Sequence, residues 1–167
     1  MKKILRSMMF VVILITMNSC FANKTGGKDN KVIVKNPDAN YVYNDSELEL
    51  MELINSYRVS IGLKALEKVN LISNKCEDHN RHMIANQVLD HNDFDARSQY
   101  IMKVLAARHV AENVANNYKT PQAVLKAWLQ SPGHKKNIEG NYTHFGISIS
   151  TDPATGKKYY TNIFARI

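Results

Sequence analysis

The sequence predicts an α+β fold, because helical patterns fill most of the chain after residue 45 and strand patterns close it. Apolar residues recur at steps of three and four in segments 45–61, 71–87 and 120–130. Phe145 and Ile147 instead alternate with small residues, as in a half-buried strand. With 167 residues, 44% of them apolar and 22% charged, the chain has the composition of a single globular domain. A wholly disordered chain is excluded by this composition, and a polytopic membrane protein by the presence of one short apolar run.

Residues 1–19 have the pattern of a secretory signal peptide. Basic residues precede an apolar stretch from Met8 to Met17, and the small residue Ser19 closes it. A spanning helix needs about 20 apolar residues, which favours a signal peptide over an uncleaved membrane anchor. Residues 17–20 resemble the lipobox of bacterial lipoproteins, in which the chain is cut before a cysteine that receives the lipid. This resemblance implies lipidation at Cys20.

We therefore expect a lipoprotein with three parts: a signal peptide at 1–19, a flexible tether at 20–44 from lipidated Cys20, and a folded domain at 45–167. The tether is polar, contains glycine and shows no helical or alternating pattern. Because two or more acyl chains anchor a protein stably, the membrane would be a partner of the chain and would hold it in the cell envelope on the extracytoplasmic side. Without the lipid the protein would be secreted. The other cysteine is Cys76, so lipidation leaves no intramolecular disulfide.

The charge of the chain does not indicate a nucleic acid partner. Its formal net charge is +7, and removal of Lys2, Lys3 and Arg6 with the signal peptide would lower it by three, to +4. No dense stripe of Lys and Arg with interleaved aromatic residues is present. A mildly basic surface that tolerates an anionic envelope is the better interpretation.

The first two helices are predicted from their caps and their apolar faces. Ser46 and Glu49 have the spacing of a capping box, and Gly62 ends the first helix. The second helix covers 71–87, and its apolar face has four members: Ile72, Cys76, His79 and Met83. We interpret Cys76 as a small buried side chain rather than a nucleophile. His79 and His82 are one turn apart, which is compatible with metal ligation, but core plus surface is the favoured interpretation.

Two further helices and a hairpin complete the prediction. Thr120 before Pro121 marks the start of the third helix, whose inner face includes Val124 and Trp128. Residues 131–134 repeat this signal, so a short fourth helix runs toward Ile138. The turn-forming segment 152–156 separates the strand at 145–149 from a second strand that ends at residue 167.

Three polar segments, at 89–91 (Leu-Asp-His), 111–115 (Ala-Glu-Asn-Val-Ala) and 127–138, are hard to explain as structural alone. In this order they resemble the CAP superfamily of cysteine-rich secretory proteins, antigen 5 and pathogenesis-related proteins, in its bacterial secreted branch. Segments 53–58 and 143–147 add to the resemblance, which covers about residues 47–167. It implies a three-layer α–β–α sandwich with a central antiparallel sheet.

The resemblance also implies a cleft lined by His91, Glu112 and His134. The family's fourth cleft residue, an acid, falls on Ser131. Two imidazoles and one carboxylate suit a divalent metal such as zinc, and an open coordination position could activate water. Without a metal, a histidine beside a carboxylate could act as a general base, so all three residues are also catalytic candidates. We interpret Ser131 as a helix N-cap whose oxygen is occupied, rather than as a nucleophile.

The favoured function is a binding module for an unknown small ligand, peptide or envelope protein. One alternative is a metal- or histidine-assisted hydrolase that acts on envelope or extracellular substrates. A second is a lipid or sterol carrier, whose groove could be lined by four apolar side chains: Met102, Val104, Leu105 and Val110. Residues 97–108 either cover the cleft or only link His91 to Glu112.

Overall fold

The computed structural model describes residues 40–167, so the expected signal peptide, Cys20 and the tether up to residue 39 lie outside the described residues. Within this part of the chain no helix is long and apolar enough to cross a membrane. The elements follow in the order α1 Asp45–Ser60, β1 Glu67–Lys68, α2 Asn70–Asn86, α3 Phe94–Leu105, β2 His109–Asn116, α4 Pro121–Gln130, α5 Pro132–Ile138, β3 His144–Thr151 and β4 Lys158–Arg166.

The four strands of this part form one sheet in the order β1-β3-β4-β2. The predicted hairpin is confirmed, since β3 pairs antiparallel with β4, with Phe145 opposite Phe164. Strand β2 pairs antiparallel with β4 and leaves its other side at the sheet edge. The expected antiparallel sheet is corrected at one edge, because the two-residue strand β1 pairs parallel with β3. The sheet is therefore mixed.

Helices cover both faces of the sheet, as the expected three-layer sandwich requires. On one face α1, α4 and α5 enclose a core that includes Leu50, Ile54, Trp128, Ile138, Phe145, Ile147, Tyr160 and Phe164. On the other face α2 and α3 enclose a second core of Leu71, Ile72, Cys76, Ile101, Val110, Ile163 and Ala165. Alternate residues of β4 thus belong to opposite cores, as the two-residue period of a strand dictates.

Helix α1 begins two residues before the predicted capping box. The Asn44 side chain accepts a hydrogen bond from the Glu47 backbone at 3.0 Å, and the Glu47 carboxylate accepts one from the Asn44 backbone at 2.9 Å. The Ser46–Glu49 prediction was wrong because Asn44 is an equally good N-cap with a glutamate at the same spacing. The end of the helix agrees with the prediction, since Gly62 follows it with φ +83°.

The segment before α1 is attached to the domain. The Tyr41 hydroxyl donates to Glu47 at 2.7 Å, and the Tyr43 and Ser73 hydroxyls are 2.9 Å apart. Glu47 also accepts from the backbone N–H of Ile149 at 2.8 Å, although Glu47 is itself buried. Tyr41 and Tyr43 therefore contact the domain, although the sequence assigns both residues to the tether.

Helix α2 packs against β3 without room for side chains between their backbones. A Cβ atom on Gly146 would lie 2.4 Å from the Ser73 nitrogen and 2.6 Å from the Ile72 carbonyl carbon. Gly146 and Ser148 are consequently buried, as are Phe145 and Ile147 on the opposite face of the strand. The expectation of a half-buried strand was wrong, because helices cover both faces of the sheet.

Candidate functional site

An open cleft of about 850 Å³ lies beside the edge strand β2. It is bounded by the start of α3, by β2, by α5 with the loop that follows it, and by the end of β4. His91, Glu112 and His134 all line it. The structure therefore brings together the three residues that the sequence singles out, although His91 and His134 are more than 40 residues apart along the chain.

A buried ion pair forms the floor of the cleft. The Glu112 side chain is 1% exposed and the Arg97 side chain 11%. Arg97 Nη2 donates to Oε1 and Oε2 of Glu112 at 2.9 and 2.8 Å, and Nε donates to Oε2 at 3.0 Å. This geometry satisfies both carboxylate oxygens and makes the pair resistant to rearrangement.

Glu112 also fixes the orientation of His91. Oε1 lies 2.8 Å from His91 Nδ1, and the His91 side chain is 51% exposed. Because a carboxylate engaged by Arg97 accepts hydrogen bonds, Nδ1 is the ring nitrogen that donates to Glu112. The arrangement leaves Nε2 as the ring nitrogen free to act on a molecule in the cleft.

His134 is placed by α5 and by two neighbours. Its backbone oxygen accepts from Asn113 Nδ2 at 3.1 Å, and its ring is tilted against Trp128 at a centroid distance of 6.4 Å. Burial lowers the pKa of the His134 imidazole below its usual value, and the nearby charge of His91 lowers it further. His134 is therefore a neutral imidazole at pH 7.

Side chains from α4 and α5 cover the outer edge of β2. Asn137 Nδ2 donates to the Glu112 backbone oxygen at 3.1 Å, and Trp128 Nε1 donates to the Val114 backbone oxygen at 3.2 Å. Asn137 also donates to Asn113 Oδ1 at 2.8 Å. These hydrogen bonds occupy backbone oxygens of β2 that would otherwise pair with an added strand. A ligand in the cleft therefore contacts side chains and cannot extend the sheet at this edge.

The far wall of the cleft is held by a buried arginine from α1. Arg58 is 2% exposed and donates to the backbone oxygens of Ile138, Gly140 and Lys64 at 2.5, 3.0 and 3.0 Å. These bonds fix the loop that carries Tyr142 into the cleft. Arg58, the last residue of segment 53–58, thus shapes the site from helix α1.

Comparison with known proteins agrees with this fold. The model of the cysteine-rich secretory protein family, CAP, matches residues 51–164. This match covers more than half of the chain and includes the three cleft residues. The chain belongs to the CAP family.

Two proteins of Bacillus subtilis are relatives of this CAP domain. The uncharacterized protein YkwD is 33% identical over 121 residues, which are 66% of this chain and 47% of YkwD. The uncharacterized membrane protein YlbC is 30% identical over 127 residues, 72% of this chain and 34% of YlbC. The chain therefore matches less than half the length of either curated relative.

Solved structures share the architecture of the CAP domain. An extracellular protein with an SCP domain from Bacillus anthracis has a TM-score of 0.64 and 26% identity over 73% of this chain and 40% of that one. An outer surface protein of Borrelia burgdorferi has a TM-score of 0.66 and 18% identity, with 77% of this chain and 98% of that chain covered. The protein is a CAP-domain protein of the bacterial type.

The cleft of this CAP domain does not fit a metal site built from the three predicted ligands. Within residues 40–167 no group of three His, Cys, Asp or Glu side chains is arranged to hold a metal ion. The physical reason is Arg97, which occupies both oxygens of Glu112 and neutralises its charge. In this arrangement Glu112 orients His91, and two imidazoles remain as donors.

Ser131 lies in the cleft, at the position where the family resemblance places an acid. It is the N-cap residue of α5, as predicted, but its side chain makes no capping hydrogen bond. The expectation that the helix occupies its oxygen was therefore wrong. Among the described residues the hydroxyl also has no hydrogen bond to His91 or His134, so no serine–histidine pair is formed.

The other candidates of α2 are structural. His79 is buried and Nε2 lies 2.9 Å from the Asp90 backbone oxygen, while the partly exposed His82 stacks on it at 5.8 Å. Cys76 is buried, and its thiol donates to the Gly146 oxygen at 3.3 Å. Burial raises the pKa of this thiol well above its usual value, which disfavours a thiolate nucleophile. Both predictions for this helix are confirmed.

The apolar residues considered for a lipid groove are divided between two environments. Val110 belongs to the core between α3 and the sheet and also lines the cleft, whereas Met102, Val104 and Leu105 pack against that core without lining the cleft. Segment 97–108 does not cover the cleft as a lid. It supplies most of helix α3 and, through Arg97, the counter-ion of Glu112.

Sequence reasoning missed several residues of the site. Arg97 gives no local signal, because an arginine on a short amphipathic helix is most often solvated. Lys136 looks like half of a solvated Lys-Lys pair, yet it lines the cleft. His109 and Tyr142 form a stacked pair on the wall at 5.5 Å, and only the tertiary fold brings them together.

Proposed function

We propose that this protein is an extracytoplasmic binding module whose ligand site is the cleft beside β2. The observation that carries the proposal is the open cavity of about 850 Å³, in which a buried Arg97–Glu112 pair presents His91 in one orientation. Preorganised polar groups beside an aromatic wall are typical of small-molecule and peptide sites. The ligand is a small molecule or a short peptide segment of the envelope.

An extracytoplasmic location is supported by the names of two similar proteins and by the N-terminal segment of the sequence. The Bacillus anthracis protein is extracellular and the Borrelia protein is an outer surface protein. The lipobox-like segment 17–20 adds a lipid anchor at Cys20. A Cys20→Ser variant should move from the membrane fraction to the soluble fraction or remain uncleaved, while the wild-type chain stays with membranes and gains the mass of the acyl groups. Equal fractionation and equal mass of both proteins would contradict the anchor.

Binding is tested on the full chain in a neutral detergent, with a library of short peptides and aromatic fragments observed by NMR. A His91→Ala/His134→Ala double variant should lose the ligands that the wild type binds, because it removes two of the three imidazoles that line the cleft. His144→Ala is the matched control, since His144 lies at the start of β3 outside the lining of the cleft. Ligands that bind all three proteins equally would place the binding site elsewhere.

Hydrolysis is a second candidate, favoured by the 2.8 Å contact between His91 Nδ1 and Glu112. This contact orients Nε2 as a general base that could take a proton from water in the cleft. The His91→Ala variant should then abolish cleavage of a fluorogenic peptide or ester by the full chain without lowering its melting temperature. Cleavage that survives in His91→Ala would be due to a contaminant or to another site.

Zinc titration of the full chain tests the role of metal directly. Because Arg97 engages Glu112, we expect no zinc site of micromolar affinity that depends on His91 and His134. Tight zinc binding that the double variant loses would instead mean that Arg97 releases Glu112 to the metal.

A further inference from the structure

The ionisable side chains that line the cleft are unevenly distributed in sign. Among the described residues around the cavity, Lys136 and Arg166 are cations and Glu112 is the one acid, while the other basic groups are the histidines His91, His109 and His134. A site lined by one sign of charge concentrates ligands of the opposite sign. The net charge that a ligand meets in the cleft therefore depends on whether the Glu112 carboxylate is accessible to it.

Glu112 is not available. Its side chain is 1% exposed, and its charge is compensated by Arg97 from below the floor of the cleft. It also contacts His91. A ligand in the cleft therefore meets a neutral ion pair at Glu112 rather than a negative charge.

Lys136 of α5 and Arg166 at the end of β4, the two cations that line the cleft, have no carboxylate partner among the described residues. Within residues 40–167 Lys136 makes no ion pair, in contrast to its neighbour Lys135, which lies 3.7 Å from Glu139. Arg166 donates to two neutral acceptors, the backbone oxygen of Asn141 at 3.3 Å and its side-chain oxygen. Both cations can therefore bind an anion without breaking a salt bridge.

Acids line depressions on both sides of the cleft. Glu67 and Glu139 share one with Arg166. However, Glu139 lies 3.7 Å from Lys135 and Glu67 lies 3.6 Å from His144. Asp93 and Asp95 line a neighbouring depression at the start of α3, together with His91. The cationic part of the cleft is the side formed by α5 and the end of β4. His134 and the aromatic pair of His109 and Tyr142 border the same side.

We infer that the ligand of this cleft carries an oxyanion, a carboxylate or a phosphate, that binds at Lys136, Arg166 and His134. The rest of the ligand packs against Tyr142 and Val110. This inference rests on the proposed binding function and specifies its ligand class. Arg166 can supply paired N–H donors to the anion, and Lys136 supplies a point charge.

The test compares four probes that share a phenyl ring and differ in charge, on the full chain in a neutral detergent: benzoate, phenyl phosphate, benzamide and benzamidine. Dissociation constants come from ligand-observed NMR. Benzoate or phenyl phosphate should bind at least about fivefold more tightly than benzamide, which corresponds to one modest charge contact. Benzamidine should bind most weakly, and the preference should shrink as salt is added. The comparison of benzoate with phenyl phosphate identifies which oxyanion the site prefers.

Lys136→Gln should remove most of the preference for the anionic probes, and Lys136→Gln/Arg166→Gln should remove all of it. Lys135→Gln is the matched control, because it has the same change of charge on the same helix and lies outside the lining of the cleft. Since Lys136 is exposed and makes no ion pair among the described residues, its substitution leaves the fold intact.

Three results would overturn the inference. Benzamide or benzamidine binding as tightly as benzoate would show a site indifferent to charge while leaving the binding function in place. An equal effect of Lys135→Gln and Lys136→Gln would show a response to net charge alone. Failure of all four probes to bind would count against both the inference and the proposed function.

Discussion

Arg97 determines what the carboxylate of Glu112 can do. A glutamate facing a cleft lined by histidines would ordinarily be a metal ligand or a general base. Here both of its oxygens are bonded to a guanidinium that is 11% exposed, so its main effect is to hold His91. The chemistry of the cleft is therefore governed by imidazole groups and by the cations of its opposite wall.

Replacing Arg97 with Gln should lower the free energy of unfolding by about 3 kcal/mol, because it leaves the Glu112 charge buried without its partner. The measurement is urea unfolding of the full chain in a neutral detergent. The double variant Arg97→Gln/Glu112→Gln should be less destabilised than the sum of the two single variants, since it buries no uncompensated charge. Strict additivity would mean that the pair is not coupled in the folded protein.

At this scale the residues of the cleft were predictable and their roles were not. The resemblance in three ordered segments selected His91, Glu112 and His134, and all three line the cavity. The pairing of Glu112 with Arg97 joins positions 15 apart on different elements, and no periodic pattern reports such a contact. The role of Glu112 depends on which side chains its two carboxylate oxygens contact, and only the tertiary fold determines those contacts.

At the scale of secondary-structure elements, the close approach of α2 to β3 at Gly146 can be tested by a single mutation. Gly146→Ala should lower the free energy of unfolding by about 3 kcal/mol, because the new Cβ would lie 2.4 Å from the backbone nitrogen of Ser73 and the backbone cannot move aside easily. The experiment is again urea unfolding monitored by circular dichroism.

Gly133→Ala is the matched control for this prediction. Gly133 lies in α5, and a Cβ there would meet no atom within 4 Å. Because alanine favours a helix, this variant should be as stable as the wild type or gain up to about 1 kcal/mol. Equal losses in both variants would refute the packing explanation.

The elements that escaped prediction have one main physical cause, which is burial on both faces. Strand β2 is buried from Val110 to Ala115, so it lacks the alternation that marked Phe145 and Ile147. Strand β1 is two residues long and is defined by its pairing with β3. By contrast, the start of α4 was predictable, because the Thr120 hydroxyl accepts from the Ala123 backbone as a local capping rule expects.

The whole molecule should be sensitive to mild acid. Burial lowers the pKa of His79 in the folded state, whereas in the unfolded chain it has its ordinary value of 6.5. The unfolded state therefore binds more protons than the folded state as the pH falls below about 6.5, and the free energy of unfolding decreases with it. The lowered pKa of His134 acts in the same direction.

Denaturant unfolding at several pH values between about 5 and 7.5 measures this effect. The wild type should lose stability over this range as the pH falls, and His79→Gln should lose less, because the residue that resists protonation is gone. His144→Ala provides a control that removes a partly exposed histidine from the start of β3. A pH profile of His79→Gln parallel to that of the wild type would contradict the assignment.

The burial of Cys76 has a consequence for how the motion of the domain can be followed. Its thiol is 0% exposed and lies between α2 and the sheet. If Cys20 carries the lipid, Cys76 is the one thiol left in the chain. A thiol reagent then reacts only with molecules in which α2 has separated from β3. The rate of labelling therefore reports how often this local opening occurs. At high reagent concentration it becomes the rate constant of opening, which gives the lifetime of the closed protein without any denaturant.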